Sequence, residues 1–219
     1  MNRVKSRVLV IAVMMVAVML LISGCGASKT DTQSDKTESL NDRAIKAVVE
    51  NYSDGDIIRE YDIVVDRVYY GSFSQESADE ILVLCKILDL PHVAGLDKTV
   101  GVLMDADSLD MIAYREFPAD KVVVSRLQTG SGRSRILVSK TSASTGLWSQ
   151  EIQLLAVEGS EWIEIPIDAL NALNLGEEDI CFVEENQIIA ISGYSFSGSG
   201  AIMEILTWNP EMEQFVPAQ

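Results

Sequence analysis

Residues 69–86 read YYGSFSQESADEILVLCK, and this stretch decides the fold. A polar, serine-rich segment leads into Asp79 and Glu80 and then into a run of Ile, Leu, Val and Cys that has the composition of a strand. Segments of the same form recur as SRILVSKT from Ser134 and NQIIAISG from Asn186. The starts are about 50 residues apart, a spacing typical of β-sheet repeat units.

Working outward, the strand signals fall into three sets of four. The first is 61–68, 80–87, 99–105 and 110–117. The second is 121–127, 134–141, 150–157 and 161–165. The third is 179–184, 187–193, 201–208 and 213–216. Most are bounded by Gly, Ser, Asp or Asn. Each set closes on a hairpin of one form: an apolar strand, a short polar turn and a shorter strand. Residues 39–52 read instead as a helix, because Leu40, Ala44, Ile45, Val48 and Val49 recur at helical spacing. A short helical insert, PIDALNALN from Pro166, separates the second set from the third. The expected fold is mainly β: three four-stranded antiparallel repeats with one N-terminal helix.

Gly71, Phe73, Asp79, Glu80 and Ile81 stand where the blade starts of FG-GAP or VCBS-type β-propeller repeats have a glycine–aromatic strand end, an acidic loop and an Asp-Glu-hydrophobic strand. The stretch resembles that family. The resemblance implies blade-like repeats in a partial or atypical propeller, since propellers close with four or more blades. Three units imply an open form, pairing with another chain, or a sandwich. The 40–49 helix is a candidate cover for an open edge. Calcium-binding members carry closely spaced Asp and Asn in this loop. Here it reads Ser72, Ser74, Gln75, Glu76 and Ser77, so no tightly bound calcium is expected.

The N-terminus carries an address. Arg3, Lys5 and Arg7 precede fifteen apolar residues, Val8 to Ile22, followed by Ile22-Ser23-Gly24-Cys25. A basic start, a short apolar run and small residues before a cut make an export signal. The last four residues resemble the lipobox of bacterial lipoproteins. That resemblance implies cleavage between Gly24 and Cys25, and a diacylglyceryl group, with N-acylation as an option, on the Cys25 sulfur. Two acyl chains anchor far more firmly than one. Residues 1–24 are then the signal peptide, 25–38 the lipidated cysteine and a flexible polar tether, and 39–219 one β-rich domain. The expected location is the outer face of the cell membrane, or the outer membrane of a two-membrane cell.

Charge narrows the partners. The chain has 17 basic and 33 acidic residues, a formal net charge of −16. Nucleic acid and anionic headgroups require basic patches, so neither is expected as a partner. A basic peptide, a cation or a basic protein face is compatible with the charge. Cys85 and Cys181 lie in apolar runs, outside any CxxC and away from histidine, and read as buried thiols. A bridge between them remains an alternative in an exported chain.

No constellation points to catalysis. His92, the single histidine, sits in DLPHVAG and reads as a surface loop residue. Asp105, Asp107 and Asp110 have the spacing of a calcium loop, but they occupy a hairpin tip, where Asp and Ser are ordinary turn residues, and no metal is assigned. Residues 193–200, GYSFSGSG, read as a hairpin connection, with Tyr194 and Phe196 as candidate contact residues. The expected role is a membrane-anchored, extracytoplasmic, non-enzymatic binding module without a cofactor, engaging a protein or peptide. The alternatives are a carboxylate-dependent hydrolase, whose acid pair is defined only in space, and a structural component of an envelope complex.

Overall fold

The computed structural model describes residues 30–53, 58–88, 98–144, 147–176, 179–193 and 201–218. Among them, twelve strands form three four-stranded antiparallel sheets, each a meander in which successive strands pair. The first sheet holds β1 (Ile63–Gly71), β2 (Glu80–Ile87), β3 (Lys98–Asp105) and β4 (Met111–Pro118). The second holds β5 (Lys121–Gln128), β6 (Ser134–Ser144), β7 (Leu147–Glu158) and β8 (Glu161–Ile165). The third holds β9 (Ile180–Glu184), β10 (Gln187–Ser192), β11 (Ile202–Asn209) and β12 (Gln214–Pro217). All three sets match the sequence reading. The ends of β2 and β8 fall where expected, and no other end shifts by more than three residues.

The sheets stack face to face, and the second is the middle layer. Leu82, Leu84 and Leu103 of the first sheet pack with Val124, Ile136, Val138 and Leu155 of the second. From its opposite face, Leu127, Leu137 and Leu154 pack with Cys181, Ile188, Ala190, Leu206 and Phe215 of the third. This explains why the middle of β6, Ile136 to Val138, is apolar without alternation: both its faces are buried. Trp208 fixes the second contact further, its indole N–H donating to the Gln128 carbonyl at 2.7 Å.

The first sheet is buried on both faces as well. Ile81, Val83, Cys85 and Ile87 point away from the second sheet, beside Val100, Val102 and Met104 of β3, and all are buried. The end of helix α1 (Thr30–Asn51) meets this face. Ser53 donates its backbone N–H to Glu116 Oε1 at 3.0 Å and its hydroxyl to the same oxygen at 2.8 Å. Asn51 reaches the Met111 sulfur at 3.8 Å. Ala44, Ala47 and Val48 are buried.

Two details of α1 differ from the sequence reading. Its inner stripe is centred on Ala44, Ala47 and Val48, whereas Val49, assigned to the stripe, is 38% exposed. The helix also begins at Thr30 rather than Ser39, so 30–38, expected as a flexible tether, is helical. Once residues 40–51 nucleate a helix, each further residue adds one hydrogen bond at low cost. Residues 30–38 contain neither Gly nor Pro to stop it. The compact body runs from Asn41 to Gln219. The Pro166 insert forms a single helical turn, α2 (Asp168–Asn171). No helix among the described residues is long and apolar enough to cross a membrane.

Candidate functional site

The repeat-start loop is a structural lock. Phe73 is fully buried in the core between the first and second sheets. Glu80, 2% exposed, turns its carboxylate back onto the loop. It accepts from the amides of Phe73 and Ser74, the latter at 2.8 Å, and from the Ser74 hydroxyl. Arg133, from the strand-entry side of β6, donates to the carbonyls of Ser74 and Val157 at 2.9 Å each and to that of Phe73 at 3.3 Å. A Cβ at Gly71 would stand 3.0 Å from Ser134 Oγ and 3.1 Å from an Arg126 guanidinium nitrogen, so a side chain there would crowd the contact. The donors that surround Glu80 are those of its own chain.

The Asp105–Asp110 hairpin tip is likewise engaged with itself. Asp105 Oδ1 accepts from the amides of Asp107 at 3.0 Å and Ser108 at 2.8 Å. These bonds hold its carboxyl below the usual carboxylate range. Leu109 takes the left-handed conformation that the turn requires, with φ of 58°. Asp110 stands 4.0 Å from the Arg43 guanidinium. The spacing that suggested a cation loop is explained by turn formation. Among the described residues, no group of three His, Cys, Asp or Glu is placed to hold a metal.

Cys85 and Cys181 are free and buried, in the first and third sheets, with the second sheet between them. Desolvation pushes the Cys85 thiol up to about 12 and the Cys181 thiol up to about 11. A concavity between α2 and β12 has a volume of about 20 Å³, room for one water, and Asp168 is its single carboxylate. Gly24, Cys25, His92, Tyr194 and Phe196 lie outside the described residues.

One surface stands apart. Cross-strand partners share a sheet face. On the face of the third sheet turned away from the second, Ile180, Ile191 and Met203 form one row, and Phe182, Ile189 and Ile205 the next. Glu184, Gln187, Thr207 and Val216 form a third. Met203 is 62% exposed, Ile180 39% and Phe182 37%. Ile189, at the centre of the face, is 8% exposed. The two apolar rows span three strands about 4.8 Å apart, a face of roughly 200 Å². The equivalent face of the first sheet is buried; among the described residues no further layer covers this one, and its outer residues are exposed. Its signal in the sequence is Ile180, Phe182 and Met203, which the sequence reading does not mark as a surface.

Among the described residues the chain is thus a β protein of three antiparallel sheets with an N-terminal helix. No protein-family model, curated protein or solved structure matches it.

Proposed function

We propose that this chain is a lipid-anchored, extracytoplasmic binding module that uses no enzymatic chemistry and takes no cofactor. The observation that carries the binding role is the apolar face on which Ile180, Phe182 and Met203 stand exposed around Ile189, Ile191 and Ile205. Contiguous exposed apolar residues rimmed by polar ones mark interaction surfaces. The anchor is a diacylglyceryl group on Cys25, supported by the basic start, the apolar run and the Ile22–Cys25 lipobox. It places the protein on the outer face of the cell membrane or on the outer membrane, with a protein or peptide rather than nucleic acid as partner.

The three sheets are read as blade-like units of a partial propeller. In support, each is a four-stranded meander, they stack face to face, and the Gly71–Ile81 segment resembles a blade start. In that reading the open face of the third sheet is where a fourth blade would lie. A second role, structural component of an envelope complex, is favoured by the same face and differs only in the permanence of the contact.

The test is mass spectrometry and fractionation of the full chain produced in a bacterium that makes lipoproteins. The expected product starts at Cys25, carries the mass of a diacylglyceryl group and sediments with membranes. Cys25→Ala is expected to remain unprocessed at that position and to carry no lipid. An unmodified Cys25 with the leader still attached overturns the anchored reading.

A further inference from the structure

Granting the binding-module reading, on which it rests, we propose that the open face of the third sheet receives a partner segment that is apolar at its centre and lined with Lys and Arg at its margins. All 17 basic residues of the chain, and its one histidine, lie at or before Lys140. The last 79 residues contain 13 Asp and Glu and no positive side chain. The third sheet is built wholly from this part.

One end of its apolar rows is therefore framed by acid. Glu184 ends the row beside Gln187, and Glu185 follows in the turn between β9 and β10. Both are exposed, and among the described residues neither forms an ion pair. Glu213 shows what such an acid does when a cation is in reach: it pairs with Arg135 of the second sheet at 2.7 Å. Glu184 and Glu185 have no such partner in their own sheet.

The charge decides among occupants. Two copies meeting through this face would bring together two stretches that carry acids and no positive side chain, and like charges across an interface oppose association. An anionic lipid surface is repelled for the same reason. A segment with Ile, Leu or Val on one side and Lys or Arg along its borders meets both the apolar rows and the rim. A face of roughly 200 Å² is small beside standard interfaces, so the complex is weak and reversible and its association rate falls with salt.

The test uses the full chain in phosphatidylcholine nanodiscs, with empty nanodiscs subtracted. Three labelled ten-residue peptides serve as probes: alternating Ile and Lys, alternating Ile and Glu, and alternating Ser and Lys. The Ile–Lys peptide is expected to bind at least tenfold more tightly than either of the others and to weaken about tenfold between 50 and 500 mM salt. Met203→Ser and Phe182→Ser are each expected to weaken it about tenfold, while Tyr61→Ser, at a 68% exposed residue of the first sheet's entry, leaves it unchanged. Equal binding of the Ile–Glu peptide, or equal loss from all three variants, overturns the proposal. A photo-crosslinker at Met203 in intact cells separates the two levels. An adduct formed only with a second copy overturns the basic partner and keeps the binding module. The absence of any protein adduct removes both.

Discussion

The carboxylate of Glu80 accepts from the backbone N–H of Ser74 at 2.8 Å, six residues back along the chain. A buried charge is satisfied by the loop that delivers Phe73 to the core, so the first residue of β2 and the segment before it form one unit. Removing the acceptor in Glu80→Ala leaves two amides without their partner, which costs about 2–4 kcal/mol. Glu80→Gln keeps one accepting oxygen and costs about half as much. Urea denaturation of both variants measures this, and equal midpoints for wild type and Glu80→Ala would remove the lock from the account.

Arg133 holds the same loop from the second sheet, through the carbonyls of Ser74 and Val157 at 2.9 Å each. Arg133→Ala is expected to cost about 1–3 kcal/mol. Because Arg133 and Glu80 grip one segment, the double variant is expected to cost less than the sum of the singles, with a coupling of about 0.5–2 kcal/mol. A double-mutant cycle in urea reads the coupling directly, and strict additivity would show that the two grips are independent.

Asp105 makes stability depend on pH at one defined place. Its carboxyl is held below its ordinary value by the amides of Ser108 and Asp107. A depressed folded-state pKa gives a stabilising contribution that is present above the unfolded value of about 3.9 and lost as pH falls through the folded value. Asp105→Asn keeps an accepting oxygen but carries no titratable charge. The stability advantage of wild type over Asp105→Asn is therefore expected at pH about 6 and absent at pH about 2. A gap that widens on acidification contradicts this assignment.

The thiols report on opening of the body. With Cys85 pushed up to about 12 and Cys181 up to about 11 by burial, both are protonated at neutral pH. Iodoacetamide at pH about 8 is expected to leave both intact in the folded protein and to label both in denaturant, because the thiolate is the reactive form. Peptide mapping by mass spectrometry identifies the labelled thiols, and labelling of either in the folded protein would contradict its burial.

The candidate site was less legible than the fold. Tyr194 and Phe196 are conspicuous as aromatic residues in a glycine-rich loop and lie outside the described residues, whereas the apolar face of the flanking strands β10 and β11 gave no comparable local signal. Phe73 offers the converse case. It has the profile of a loop aromatic in sequence and is fully buried in the structure, because Glu80 and Arg133 fold its loop inward.

By itself the sequence determined the strands and their order of pairing. Runs such as Glu80–Ile87 and Glu161–Ile165, set off by short polar turns, leave a meander as the simplest way to satisfy their backbone groups. Only the tertiary structure decided which faces are covered. Ile81, Val83, Cys85 and Ile87 are buried, whereas Ile180 and Phe182, just as apolar, are partly exposed on the outermost layer. Local hydrophobicity states what a strand can bury; burial itself depends on whether another layer arrives, and that is set by contacts far away in the chain.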